Sequence, residues 1–283
     1  MIRTTKNQGG YFTLSHRITI KDVAREAGVS VATVSYVINN RTDLRISDAT
    51  RKKVLQISNL LGYTPNSSAQ ALATSRKRMV ALYVSPEASV LKLAEQMYLM
   101  NFLSSFFHDK NYGLTYLSRA FTERYDQADS IICCDTPSEY FFEIGDRNFI
   151  PLLALDCMIT GNGLFFQINS DYSRIAKEAD AFFGGASYKL ISLTPSNQER
   201  KALIEQTFPE VIYINTPEEL AAYRKDRLLV LEHSLYSLLT DADDASQRIC
   251  YKPLLTAEKA EALFTCMEYA LDRTPGTQHD VRI

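Results

Sequence analysis

The sequence predicts a small all-α helix-turn-helix head joined to a larger α/β body built on parallel sheets. Three observations predict it. Charge divides along the chain: residues 1–78 hold 13 basic and 4 acidic residues, a net of +9, whereas residues 79–283 hold 18 and 29, a net of −11. Residues 19–39 pattern as two short helices around a tight turn with glycine. Beyond Met79, short apolar runs alternate with helical stretches, as right-handed crossovers in parallel sheets require. With 283 residues, 46% of them hydrophobic and 23% charged, the chain has material for two domains and is too apolar for disorder.

In the head, Thr19 caps a helix over Ile20–Ala27, Asp22 completes a capping-box pair, and Gly28 supplies the left-handed stop. Ser30 then caps a helix over Val31–Asn39. At about 100° per residue, Val34, Val37 and Ile38 share one face of it, and Val31, Ala32, Ser35 and Tyr36 share the other. One face packs inward and the other is free. A third helix starts at Ser47, turns Val54, Ile57 and Leu60 or Leu61 inward, and stops at Gly62. After Pro65, Asn66 caps a short segment over Ser67–Thr74, too short to be stable in water without a partner. The basic head calls for a polyanion, with nucleic acid the leading candidate.

In the body, strands are expected at 79–84, 114–118, 129–134, 150–155, 164–168, 188–193, 210–214 and 227–231. Helices are expected at 89–109, 137–147, 171–183, 196–206, 217–225 and 256–271. The helix 89–109 is apolar nearly all round, so it must be covered on more than one side, by the sheet and by a second subunit.

The run Thr19-Ile20-Lys21-Asp22-Val23-Ala24-Arg25-Glu26-Ala27-Gly28-Val29-Ser30, continued by Ala32-Thr33-Val34-Ser35-Tyr36-Val37-Ile38-Asn39, resembles the headpiece of the lactose repressor (LacI/GalR) family. Gly62-Tyr63-Thr64-Pro65-Asn66 and Ala69-Gln70-Ala71-Leu72-Ala73 are similar to that family's third-helix end and hinge helix. The resemblance implies a DNA-binding headpiece at 18–64, a hinge helix and linker at 65–78, and a periplasmic-binding-protein-like body of two parallel-sheet subdomains at 79–283. Residues 1–17 are expected as a disordered arm or a basic strap on DNA. It implies base reading in the major groove by Val31, Ala32 and Tyr36, and phosphate contacts by Thr19, Ser30, Thr33, Ser35 and Asn39. It also implies a minor-groove wedge at Leu72, on a hinge that includes Asn66 and Ala69.

The body resembles the family less densely, at Ile150–Asp156, Ser170–Arg174 and Tyr251–Thr256. The helix and strand that usually follow the segment 228–239 are largely missing from the spacing, so one subdomain is expected to be trimmed. By position, Arg174, Glu232, His233 and Asp243 are the effector-binding candidates, for a small molecule such as a sugar or sugar phosphate. A homodimer on double-stranded, pseudo-palindromic operator DNA follows from the resemblance. The expected function is a sequence-specific transcriptional repressor under small-molecule control. An effector-blind DNA-binding dimer, controlled by a partner protein or by abundance, is the alternative.

Catalysis finds no support: the sequence has no Gly-rich phosphate loop and no nucleophile elbow, and His16, His108, His233 and His279 are dispersed. No catalytic residue, metal or cofactor is expected. The five cysteines are scattered, and adjacent Cys133 and Cys134 point to opposite faces of a strand, so reduced structural thiols are expected. Residues 1–17 lack the apolar core of a secretory signal, and no apolar run reaches membrane-spanning length, which points to the cytoplasm.

Overall fold

The structure, a computed structural model, describes residues 18–39, 41, 45–63, 76–86, 89–117, 123–161, 165–240, 247–275 and 277–283. The chain divides into two compact units, Met1–Thr74 and Ser75–Ile283.

The first unit is built from α1 (Ile20–Ala27), α2 (Val31–Ile38) and α3 (Asp48–Leu61). Each start is fixed by a side chain: Thr19 N and Oγ1 both donate to Asp22 Oδ2, and Ser30 and Ser47 accept from the amides of Thr33 and Thr50. Gly28 and Gly62 end α1 and α3 at φ 65° and 64°, where a Cβ would be strained. Val23, Ala24, Ala27, Val34, Val37 and Val54 form the core, with Ile57 and Leu61 packed against it. Leu60, an alternative for the inward stripe, is 82% exposed: the stripe runs through Leu61 instead.

The second unit carries two parallel sheets, of six and four strands among the described residues. The first comprises β1 (Met79–Val84), β2 (Gly113–Leu117), β3 (Ser130–Cys134), β4 (Leu152–Leu155), β5 (Phe166–Asn169) and β10 (Asp280–Arg282), in the order β10-β5-β4-β3-β1-β2. Its helices are α4 (Val90–Asp109), α5 (Ser138–Arg147) and, returning from the other lobe, α9 (Ala257–Asp272). The second sheet comprises β6 (Lys189–Ser192), β7 (Val211–Tyr213), β8 (Leu228–Val230) and β9 (Ile249–Tyr251), in the order β7-β6-β8-β9. With it come α6 (Tyr172–Phe182), α7 (Gln198–Thr207) and α8 (His233–Thr240).

Both faces of each sheet are covered, which is why the strands read as continuous apolar runs. In β1, Val80, Leu82 and Val84 point into one core while Ala81 and Tyr83 point into the other. Cys133 and Cys134 divide the same way, and all five cysteines are free thiols. The helical stretch expected at 217–225 is a 3-10 helix at Pro217–Tyr223.

Helix α4 packs against both lobes. Its C-terminal half packs Leu103 and Phe107 into the first lobe, with Phe106 and Phe107 against Phe264 of α9. Its N-terminal half crosses to the second lobe, where Leu91 joins the core. Both lobes thus cover one side of α4, while Val90, Leu93 and Met97 remain exposed.

Candidate functional site

In the head, the turn at Gly28 and the buried Val34–Val37 edge hold α2 so that its opposite face is open. Val31 and Tyr36 are 41% and 37% exposed, and Ala32 is exposed as well. The Arg41 guanidinium lies 5.9 Å from the Tyr36 ring centroid, a cation–π distance that restrains the ring. The small polar residues do double duty. Ser30 Oγ is 2.8 Å from Thr33 Oγ1 while capping α2, and Asn39 Nδ2 donates to the Ser35 carbonyl at 2.9 Å and to Ser35 Oγ at 3.3 Å. Ser30 and Asn39 are exposed at the two ends of α2 and Thr33 and Ser35 half-buried between them, where short polar groups can position a phosphate. Asp22, hydrogen-bonded by Thr19 and paired with Arg25, titrates at about 2. Asn66, Ala69 and Leu72 lie outside the described residues.

In the body, a cavity of about 100 Å³ opens between the two sheets. It sits outside the C-terminal ends of the strands, the usual ligand crevice of parallel sheets. Asp135 and Asp156 follow β3 and β4 directly, at φ 47° and 52°, a left-handed backbone that turns both side chains at the strand ends.

Asp135 ties the lobes together. Its carboxylate accepts from Ser196 N at 2.8 Å and Asn197 N at 3.4 Å, and pairs with Arg200 Nη1 at 3.0 Å and Lys92 Nζ at 3.7 Å. Arg200 Nε donates to the buried Tyr172 hydroxyl at 2.8 Å. Asp156 Oδ2 is 2.6 Å from Lys259 Nζ, and its Oδ1 accepts from Ser170 N and Oγ at 2.8 and 3.0 Å. Burial alone would raise the Asp156 carboxyl; Lys259 and Arg200 outweigh it and hold the group below its ordinary value. From α4, Glu95 Oε1 and Oε2 accept from His233 N and Ser234 N at 3.2 and 2.8 Å, capping α8 across the lobes.

Glu232 is 4% exposed on the cavity wall. Its Oε1 accepts from Ser192 Oγ at 2.6 Å and Leu193 N at 3.3 Å, while Oε2 has no hydrogen-bond partner. Burial pushes this carboxyl up to about 7, with Glu95 adding to the rise and Ser192, Arg200 and Leu193 opposing it. A raised folded-state value means that the folded chain holds the proton more tightly than the unfolded chain. Stability from this group is therefore full below pH 4.5 and lost as pH rises through 7. The shift corresponds to about 3 kcal/mol. The Glu232→Gln variant is expected to gain stability relative to wild type between pH 5 and pH 8 by up to about that amount. Denaturant titration at the two pH values checks it, and a pH-independent difference would contradict it.

Of the expected effector residues, the cavity wall takes Glu232. Arg174, named for a ligand, is half-exposed on α6 with Nε 3.9 Å from Glu178 Oε1 and is not part of the wall; an (i, i+4) surface pairing claims it. His233 is not on the wall either: its ring stacks on Tyr98 at 4.0 Å between centroids, and its amide is taken by Glu95. Asp243 lies outside the described residues. The guanidinium on the wall is that of Arg200, one helix further on. Asp135 and Asp156 escaped the sequence reading, although an aspartate directly after an apolar strand in each case was the available signal.

A three-helix head with an open second-helix face, followed by a two-lobed parallel α/β body with a cavity between its sheets, is a fold shared with lac repressor structures. Residues 19–66 match the family model described as "Bacterial regulatory proteins, lacI family". The chain is 53% identical over 73 residues to the HTH-type transcriptional regulator DegA of Bacillus subtilis, covering 26% of this chain and 21% of that protein. It is 55% identical over 67 residues to the HTH-type transcriptional regulator GalS of Salmonella typhimurium, covering 24% and 19%. The match thus spans about a fifth of the length of these curated relatives. In fold, the chain is similar to the lac repressor dimer bound to operator and the anti-inducer ONPF, with TM-score 0.56, 15% identity, and 94% and 96% of the two chains covered. The lac repressor bound to ONPG gives TM-score 0.54 at 15% identity and the same coverage. The likeness to the lacI family is thus one of sequence in residues 19–66, and the likeness to the lac repressor structures is one of fold. Among the described residues, no helix is long and apolar enough to cross a membrane, and no group of three or more His, Cys, Asp or Glu is placed to hold a metal ion.

Proposed function

We propose that this protein is a sequence-specific DNA-binding transcriptional repressor, acting in the cytoplasm as a homodimer on a pseudo-palindromic operator. The observation that carries this reading is the face of α2. Val31, Ala32 and Tyr36 stand exposed there while Val34 and Val37 behind them are fully committed to the core. A rigid helix with an open apolar and phenolic face, set in a strongly basic segment, has the size and charge to enter a major groove. Val31 and Ala32 suit thymine methyl groups, Tyr36 exchanges one hydrogen bond with a base edge, and Thr19, Ser30, Thr33, Ser35 and Asn39 set the register on phosphates. Leu72, on the hinge with Asn66 and Ala69, wedges into the minor groove at the operator centre. The body takes a small metabolite between its lobes and passes lobe closure to the hinge; a coupling of about 1–3 kcal/mol corresponds to roughly 5–150-fold control.

The experiment is binding of the full chain to DNA from its own upstream region and to scrambled DNA at physiological salt, with wild type and the Leu72→Ala variant. Selective binding by wild type, reduced selectively by Leu72→Ala, is the expected result. An equal loss on scrambled DNA contradicts the wedge, and the absence of selectivity in wild type contradicts the whole reading.

One observation favours a second reading, an effector-blind dimer. Helix α4 is fastened to the second lobe by Glu95, by Lys92 Nζ donating to Ser196 Oγ at 2.6 Å and by Ser89 Oγ donating to the Asn215 carbonyl at 3.1 Å. Such ties oppose opening of the lobes. Selective DNA binding indifferent to every small molecule tried would decide for this version.

A further inference from the structure

The open face of α2 carries no charge of its own. Residues 27–40 hold no Asp, Glu, Lys or Arg, so the helix that meets a polyanion brings to it apolar, phenolic and short polar groups alone. The cation at this face comes from the chain just beyond the helix. Arg41 N donates to the Tyr36 carbonyl at 2.9 Å, a bond with the sixth-to-first spacing of a Schellman stop. That spacing sets the side chain of residue 41 beside that of residue 36, and here the Arg41 guanidinium lies 5.9 Å from the Tyr36 ring centroid. From α3, Arg51 Nη2 donates to the Arg41 carbonyl at 2.9 Å. Arg41 is thus held by its own N–H and C=O, while the residue is exposed. The run Arg76-Lys77-Arg78, by contrast, counts with the head by charge but is engaged by the body. Arg76 Nη2 is 2.6 Å from Asp272 Oδ1, Lys77 Nζ donates to the carbonyls of Asp126 and Ala128, and Arg78 lies 5.0 Å from the Tyr112 ring centroid.

We propose that Arg41 is a DNA-contacting residue, its guanidinium binding a backbone phosphate at the C-terminal end of the α2 face while it stays beside the Tyr36 ring. A guanidinium presents paired N–H donors that match two phosphate oxygens, and its weak hydration lets it keep an aromatic neighbour at the same time. Place favours a phosphate over a base edge. In helix-turn-helix docking the N-terminal residues of the second helix meet the bases, and Arg41 lies beyond the C-terminal end of α2. This inference rests on the DNA-binding reading above and adds a cationic contact to a set of phosphate-positioning residues, Thr19, Ser30, Thr33, Ser35 and Asn39, that are all neutral.

The test is equilibrium binding of full-length wild type, Arg41→Gln and Arg41→Lys to DNA from the protein's own upstream region and to scrambled DNA, from about 50 to 200 mM salt. Each phosphate neutralised on duplex DNA contributes about 0.9 to the slope of log K against log salt, so the loss should be about 0.9 per bound head, or about 1.8 for the homodimer. Arg41→Gln is expected to show that decrease on both DNAs, with roughly 10–100-fold weaker binding at about 100 mM salt and selectivity kept within about threefold. Arg41→Lys should keep the wild-type slope, because the charge remains. Head melting should hardly move in either variant, since the exposed side chain is outside the head core. An unchanged slope in Arg41→Gln overturns the proposal, and so does an equal fall in Arg41→Lys. A loss confined to the upstream DNA assigns Arg41 to a base edge and overturns the phosphate contact. Wild type without selectivity, but with a slope that still falls in Arg41→Gln, counts against the regulator reading and leaves this contact standing. Selective wild type with an unchanged slope in Arg41→Gln counts against this inference alone.

Discussion

Replacing Lys259 by methionine is expected to destabilise the body by about 3–5 kcal/mol, the cost of leaving its buried partner uncompensated. The ammonium is 1% exposed and lies 2.6 Å from both Asp156 Oδ2 and Ser170 Oγ, so it joins α9 to the end of β4 and to the turn after β5. Methionine keeps the volume of the stem but leaves the Asp156 carboxylate buried opposite a thioether. For a unit of this size the loss corresponds to a fall in Tm of roughly 6–20 °C. The Lys259→Met, Asp156→Asn double variant should recover part of it, because no charge is then stranded. Acid dependence follows from the depressed Asp156 value. Its contribution is fully present above the unfolded value of 3.8 and is lost as pH falls through the lower folded value, so the gap between wild type and Lys259→Met should narrow below pH 4. Thermal melts from pH 3 to pH 8 measure both effects. A Tm within 2 °C of wild type near neutral pH would show that the pair does not hold the lobe.

The largest functional effect is expected from the double substitution Val31→Ser, Tyr36→Ala. Losing readout at a base pair costs about 1–3 kcal/mol, so two positions should reduce the preference for operator over random DNA by roughly 30- to 20,000-fold. Both side chains are exposed and outside the head core, so the melting of the head should hardly move. Phosphate contacts are untouched, so binding to random DNA and its salt slope should persist. Competition binding against scrambled DNA at fixed salt provides the readout. A parallel loss on both DNAs would assign this face a non-specific role.

The elements legible in the sequence are those whose reasons are local. The head is the clearest case: a threonine or serine cap, a compatible third residue and a terminal glycine set α1 and α3 within a few residues, and the 3.6-residue spacing of Val34 and Val37 sets the inward face of α2. Strands β1 to β8 were legible as short apolar runs, because sheets covered on both faces need no alternation. Helix α8 was not. Its sequence brings no capping residue, and the carboxylate that caps it comes from Glu95, 138 residues earlier in the chain. Strand β10 is three residues at the chain end, defined by pairing with β5 rather than by pattern.

The same division holds for the sites. Sequence by itself determined the headpiece and its face, since a helix's exposed side follows from its own periodicity and caps. Tertiary structure alone decided the cavity. Position along the chain pointed to Arg174, whereas the guanidinium that folding places on the cavity wall is that of Arg200, on the next helix. Pairing likewise decided which carboxylate oxygen has no partner. Asp135, Asp156, Glu95 and Glu232 are indistinguishable as carboxylates in a sequence; only the partners brought by folding, over separations of up to 139 residues, occupy three of them and leave Glu232 Oε2 without a hydrogen-bond partner.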